Sequence, residues 1–245
     1  MAGLPVVILC GGRGTRAYPD TQEVPKPLLP VAGVPVVEHV MGIYAARGHT
    51  EFVLAAGYLA ELLVERYSGG RCPGVPRASV RVVDTGLETE TGERLRLAAE
   101  HVEGPRFMAT YSDGLADIDL DELLGAHTRA GEEHGALATV TTVPLPSPYG
   151  TVETTGAGRV TRFREKPRLA DHRINAGFFV FDRAVFGPWS GQVLETEVLP
   201  GLAGAGVLHA YHHEGFWKSL DTFKDRLELD ALAAGGHPPW GALSG

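Results

Sequence analysis

Pro5-Val6-Val7-Ile8-Leu9-Cys10-Gly11-Gly12-Arg13-Gly14-Thr15-Arg16 runs an apolar, β-branched stretch directly into a glycine-rich turn, and a further cation, Lys26, follows in Val24-Pro25-Lys26-Pro27. A buried strand that ends in small residues exposes backbone N–H groups, and with fixed cations beside them it forms a cradle for a polyphosphate. Gly12-Arg13-Gly14-Thr15-Arg16-Ala17 formally fits the G-x-G-x-x-[GA] dinucleotide fingerprint, which requires a helix to begin at once so that its N-terminus meets the pyrophosphate. Pro19, Pro25, Pro27, Pro30 and Pro35 forbid that helix. No glycine in the chain is followed by lysine, so the P-loop pattern fails as well. An extended loop wrapping an anion, with Arg16 and Lys26 supplying charge, is what remains.

Working outward, apolar runs at 5–10, 51–56, 79–84, 107–111 and 136–143 alternate with helix-like segments. Val36, Val37, Val40, Met41 and Tyr44 recur at helical spacing behind Pro35 and ahead of Gly48, and Asp119 with Glu122 resembles a capping box opening a helix through His127. This rhythm predicts the α/β class: a Rossmann-like, mainly parallel sheet with helices on both faces and ligands at the carboxyl ends of its strands. After Val143 the prolines 144, 146 and 148 precede short strands at 150–154, 160–165 and 174–181, which read as a small antiparallel flap added to the sheet. A strand at 207–213 and a helix at 222–234 follow, and the Gly/Pro-rich tail from Gly235 is expected to fray. The whole chain, 1–245, reads as one domain with a core at 1–143 and a second part at 144–234.

At 245 residues, with 44% hydrophobic and 21% charged side chains, the chain can bury a large core. A net charge of −8 argues against a nucleic-acid partner, so any phosphate must be held by a local cluster of cations. Two cysteines, Cys10 and Cys72, make no disulfide framework. No leader pattern and no long apolar run occur, so no membrane association and a reduced cytoplasmic setting are expected. His209, His212 and His213 lack a carboxylate motif beside them and read as partly exposed strand residues.

Gly-Gly-x-Gly-Thr-Arg followed by Pro-Lys-Pro resembles the signature of the sugar-1-phosphate nucleotidyltransferases, which join an NTP and a sugar 1-phosphate into an NDP-sugar and pyrophosphate. Later segments look most like the glucose-1-phosphate cytidylyltransferase branch: Asp84-Thr85-Gly86, Thr91-Gly92-Glu93-Arg94-Leu95, Ser112-Asp113-Gly114, Glu165-Lys166-Pro167, Asn175-Ala176-Gly177 and Gly215-Phe216-Trp217 through Asp221-Thr222. The resemblance implies that the flap is sugar-binding. It implies that Arg16 and Lys26 hold the triphosphate and stabilise charge at the α-phosphate, with Leu9, Gly11, Gly12, Gly14, Thr15, Thr91, Gly92, Arg94 and Ser112 around the nucleotide. Lys166 is expected to neutralise the sugar phosphate and Glu165 to accept from sugar hydroxyls, with Tyr149, Gly150, Asn175, Gly177 and Trp217 beside them.

Asp113 follows an apolar strand and precedes a glycine, where a doubly wound sheet presents ligands. The resemblance sets Asp221 opposite it, so that the two carboxylates hold Mg²⁺; a capping role for Asp221 at the following helix is the alternative. The implied partners are an NTP and a sugar 1-phosphate, and a homo-oligomer is expected. Three departures bear on specificity. Ala176 replaces a glycine, and Glu93 joins Glu88 and Glu90 in an acidic base loop that must either face solvent or accept from a base amino group, as cytosine and guanine offer. A short connection also joins Tyr67 to Ser79, where the cytidylyltransferases carry a longer insertion that helps neighbouring subunits complete the nucleotide site.

Overall fold

The computed structural model describes residues 3–243. Strand β1 (Val6–Cys10) is buried along its whole length, as its unbroken apolar run requires of a central strand covered on both faces. It pairs in parallel with β4 (Glu51–Ala56) on one side and β6 (Arg106–Tyr111) on the other. Beyond β4 lies β5 (Ser79–Asp84), and beyond β6 come β11 (Arg168–Asp182), β8 (Ala138–Pro146) and β12 (Leu208–His212), giving the seven-stranded order β12-β8-β11-β6-β1-β4-β5. Within this sheet β11 alone is antiparallel to its neighbours. Short ladders lie outside it: β2 (Pro30–Val31) with β3 (Val34–Pro35), β7 (Gly114–Ala116) with β13 (Trp217–Ser219), and β9 (Thr151–Thr154) with β10 (Val160–Arg164).

Alternation along β1 divides the core. Val6, Ile8 and Cys10 face α1 (Val36–Ala45), α2 (Ala60–Arg66), α4 (Leu120–His134) and α6 (Phe223–Ala233), whereas Val7 and Leu9 face α3 (Thr91–Ala99) and α5 (Leu199–Gly204). Helices therefore cover both faces, as the alternation predicts. Asp119 caps α4 by accepting from the amides of Asp121 and Glu122, and the helix continues past His127 to Gly135, which takes the left-handed conformation that ends it. The short connection between Tyr67 and Ser79 is fastened to the core by Glu38, whose buried carboxylate accepts from Arg66 Nε at 2.8 Å, the Gly74 amide at 2.8 Å and the Tyr67 hydroxyl at 3.3 Å.

Two expectations are corrected. The segment 174–181 is not part of a separate flap. It belongs to β11, a long strand inserted between β6 and β8, and only the β9–β10 hairpin stands apart from the main sheet. Nor does the tail fray over its described residues, 235–243. Trp240 is 4% exposed, donates from Nε1 to His39 Nδ1 at 3.2 Å and packs against Phe216, while Leu243 lies over Gly42, where a Cβ would come within 2.5 Å of it. Burial of the indole outweighs the flexible composition around it.

Among the described residues no helix is long and apolar enough to cross a membrane. His213 is buried, with Nε2 2.9 Å from Asp117, and His209 stacks on His134, so the three strand histidines do not converge.

His39 and His49 are buried as neutral rings. Each accepts an N–H at Nδ1, from Trp240 and from the Leu4 amide respectively, and burial lowers the pKa of both. An unfolded chain takes up protons at these rings near pH 6.5, which the folded chain refuses. The stability they contribute is therefore complete above that pH and declines as the pH falls through it. Urea unfolding at pH 8.0 and 5.5 is expected to give a lower midpoint at the acidic pH, and His39→Gln should lessen the difference.

Candidate active site

Strands β1 and β6 end side by side and deliver the 11–14 turn and Ser112-Asp113 to one rim of the sheet. Gly14 adopts φ +61°, and no regular α-helix follows; single 3₁₀ turns at Thr15–Ala17 and Lys26–Leu28 are all that the prolines permit. The second turn aims Lys26 inward. Its side chain is 12% exposed, and Nζ donates to Asp113 and, at 2.9 Å, to Asp221 Oδ1.

Asp221 arrives through the β7–β13 ladder, which pairs Ser219 with Gly114 and continues as a hydrogen bond from the Leu220 amide to the Asp113 carbonyl at 3.0 Å. Helix α6 is capped by Thr222, in a capping box with Asp225. Asp221 is thus free of that duty, and it accepts instead from Ser219 Oγ at 2.7 Å and pairs with the exposed Arg16 at 3.1 Å. Burial works against charge on Lys26, yet the Asp113 charge and the hydrogen bonds to Asp113 and Asp221 outweigh it and raise the ammonium pKa. For Asp221 burial likewise opposes ionisation, and the Lys26 contact, Ser219 and Arg16 together hold its carboxyl below the usual range. Lys26 and Asp221 are therefore both charged near neutral pH.

Lys26, Asp113, Asp221 and Arg16 line a cleft of about 520 Å³. Leu9, Gly11, Gly12, Gly14, Thr15, Arg16, Lys26, Thr91, Arg94, Ser112, Asp113, Asn175, Trp217 and Asp221 all lie on its wall. Gly92 and Gly177 do not; both are packing positions. A Cβ on Gly92 would meet the Gln192 carbonyl at 2.7 Å, and one on Gly177, at φ +82°, would meet the Tyr111 ring at 2.4 Å. Gly177 follows a break in the β8–β11 register after Asn175, a bulge that turns Asn175 and Trp217 together: Trp217 Nε1 donates to the Ala176 carbonyl at 2.8 Å. Tyr149, Gly150, Glu165 and Lys166 lie on or beside the β9–β10 hairpin, away from the cleft wall, with the Tyr149, Glu165 and Lys166 side chains exposed.

Arg94 touches the cleft but is 3% exposed, and its terminal nitrogens are spent on protein: NH1 on the Ala56 carbonyl at 2.5 Å and Thr85, NH2 on the Gly86 and Thr89 carbonyls at 3.0 and 2.7 Å. A Cβ on Gly11 would fall 2.1 Å from its guanidinium, so the glycine turn rests directly on this arginine. The acidic base loop faces outward, with Glu88 paired to Arg13 at 3.0 Å and Glu93 to Arg96 at 2.7 Å. Besides Asp113 and Asp221, a third carboxylate lines the cleft: Glu195, in a π-helical turn at Leu194–Val198 that sequence reading left unassigned. Leu194, Val198 and Leu202 at spacing of four are the signal that could have revealed this turn.

The sheet rim thus gathers a glycine turn, two cations and two carboxylates. The nucleotidyl transferase family pattern matches residues 5–227, and the chain belongs to that family. It is 36% identical to the protein named probable glucose-1-phosphate cytidylyltransferase in Bacillus subtilis (strain 168), over 97% of this chain and 99% of that one. It is 33% identical to glucose-1-phosphate cytidylyltransferase of Salmonella typhimurium, over 97% and 98%. In structure it resembles HddC from Yersinia pseudotuberculosis, with a TM-score of 0.70 over 93% of this chain and 98% of that one, at 18% identity, a likeness of fold alone.

Because Arg94 supports the loops rather than ending free in the cleft, Arg94→Met should cost stability, by about 3 kcal/mol from the loss of several charge-assisted bonds at a buried site. Chemical denaturation checks this.

Proposed function

We propose that this protein transfers a nucleoside monophosphate from an NTP to a sugar 1-phosphate, releasing pyrophosphate, and that CTP and glucose 1-phosphate are its substrates. The observation that carries the reaction is the convergence of Lys26, Asp113, Asp221 and Arg16 at the glycine turn. The substrate pair is supported by the two near-full-length relatives of that name. A second reading, transfer of guanylate, is favoured by the 35% identity to a probable mannose-1-phosphate guanylyltransferase of Arabidopsis thaliana, over 94% of this chain and 66% of that protein, and by the short 67–79 connection.

In the proposed reaction a sugar phosphate oxygen attacks the α-phosphorus in line as the bond to pyrophosphate breaks. The attacking oxygen is already ionised, so positioning and charge neutralisation suffice and no protein base is needed. Backbone amides of the 11–14 turn and Arg16 hold the triphosphate, and Lys26 stabilises charge growing at the α-phosphate. Lys166 and Glu165, from the end of β10, serve the sugar phosphate and sugar hydroxyls. Cys10, the nearest thiol, is buried, and burial raises its pKa well above the ordinary thiol value, which disfavours a covalent intermediate.

Asp113 and Asp221 fit a divalent cation: through oxygen atoms alone they already share one cation, the Lys26 ammonium, and they are the hard donors that Mg²⁺ takes together with phosphate and water. These two residues would hold it, and when bound it supplies charge neutralisation on phosphate oxygens. Among the described residues no cluster of three or more His, Cys, Asp or Glu offers an all-protein metal cage, so the remaining ligands come from substrate and water.

A pyrophosphate-release screen of four NTPs against a panel of sugar 1-phosphates tests the reading. Release with CTP and glucose 1-phosphate is expected; release only with GTP and mannose 1-phosphate would establish the second reading. Lys26→Ala and Asp113→Asn should each lower kcat by about 10²- to 10³-fold. EDTA should abolish turnover and Mg²⁺ restore it.

A further inference from the structure

The cleft that is lined by Arg16, Lys26, Asp113 and Asp221 carries a further carboxylate on its wall, Glu195. Glu195 Oε1 accepts from the Tyr111 hydroxyl at 2.6 Å and Oε2 from Thr91 Oγ1 at 2.7 Å, so each carboxylate oxygen is fixed by one hydroxyl. Among the described residues it forms no ion pair with any Lys, Arg or His, unlike Glu88 and Glu93 of the base loop. Its neighbour on the same turn, Glu197, is accounted for locally, accepting from the amides of Gln192 at 2.6 Å and Val193 at 3.1 Å. Glu195 has no such local duty.

A carboxylate has about four lone-pair sites, and two remain open at Glu195. A fixed negative charge repels the oxygens of a triphosphate and attracts hydroxyl donors. Tyr111 stands two residues before Asp113, so the residue that holds Glu195 and the one that holds Lys26 leave the same strand end. The Tyr111 hydroxyl also receives Asn175 Nδ2 at 3.2 Å, which ties Glu195 to the β11 bulge rather than to the glycine turn. Burial first, and then the Glu195 charge and hydrogen bond, raise the Tyr111 pKa, so the phenol stays protonated and donates.

We propose that Glu195 accepts hydrogen bonds from hydroxyl groups of the sugar 1-phosphate and so fixes which sugar is taken and which way it lies, with the phosphate toward Lys26 and the ring hydroxyls toward Glu195. This rests on the nucleotidyl-transfer reading above. A sugar lacking the bonded hydroxyl forgoes a hydrogen bond to a charged acceptor, which discriminates against it.

The test uses the NTP and sugar 1-phosphate pair that the release screen identifies. Glu195→Gln is expected to raise KM for the sugar 1-phosphate about ten- to hundred-fold while KM for the NTP stays within about twofold. On the wild-type enzyme, a series of monodeoxy sugar 1-phosphates should show a comparable loss at one ring position, and Glu195→Gln should be indifferent to deoxygenation there. A rise in KM for the NTP instead would assign Glu195 to the base, and unchanged KM values for both substrates would make it a brace of the wall; either overturns the proposal. So would wild-type tolerance of every monodeoxy sugar, a result that needs no variant to fold. If the wild type releases pyrophosphate with no pair, the reaction itself is misassigned, an outcome distinct from these.

Discussion

One ammonium group holds the rim of this molecule together. Lys26 comes from a proline-bounded turn, Asp113 from the end of β6 and Asp221 from beyond β13, and the ammonium contacts both carboxylates. Two unit charges about 4 Å apart interact with about 4 kcal/mol at the effective dielectric of a protein surface, so a pair of carboxylates needs a cation between them. The β7–β13 ladder sets the two carboxylates on adjacent backbones, and Lys26 answers the charge that this creates. The proline-rich stretch behind the glycine turn is thereby anchored to the far half of the chain.

The part of the fold that can be read in the sequence is the part whose residues declare their own burial. β1, β4 and β6 are continuous apolar runs because both faces are covered, and a local window suffices to find them. β11 could not be placed the same way. Its residues 174–181 look like any short strand after a run of prolines, and its position between β6 and β8 depends on pairings with segments far away in sequence. The tail shows the same limit from the other side, since Gly235, Gly236, Pro238 and Pro239 describe a flexible chain while Trp240 finds a buried place against His39 and Phe216.

At the site, motif spacing correctly gathered residues on the wall but could not separate those that face the cleft from those that hold the wall up. Arg94 has the residue type of a phosphate ligand, and a sequence cannot reveal that Ala56, Thr85, Gly86 and Thr89 surround it. Gly92 and Gly177 are small because a neighbouring element presses against them. For Asp221 the sequence offered two roles, and the capping box of Thr222 with Asp225 removes the capping one. Glu195 carried no motif at all, because its place is set by a π-helical turn whose register only the packing of Leu194 and Val198 defines.

The placement of charge then separates two tasks. Groups suited to phosphate chemistry sit on the sheet rim, on β1, β6 and the β7–β13 ladder, where backbone pairing on several sides limits movement. Glu165 and Lys166 sit on a two-stranded hairpin that pairs only with itself, outside the main sheet. A rigid centre keeps its dipoles and charges oriented without reorganisation, while a hairpin joined to the sheet through the Pro146–Arg168 end of the β8–β11 ladder can adjust to what arrives. Specificity in such an arrangement cannot come from the rim, which would treat every nucleotide and every phosphate alike. Beyond the rim the cleft wall carries Glu195, which pairs with no cation among the described residues, whereas Glu88 and Glu93 turn to arginines.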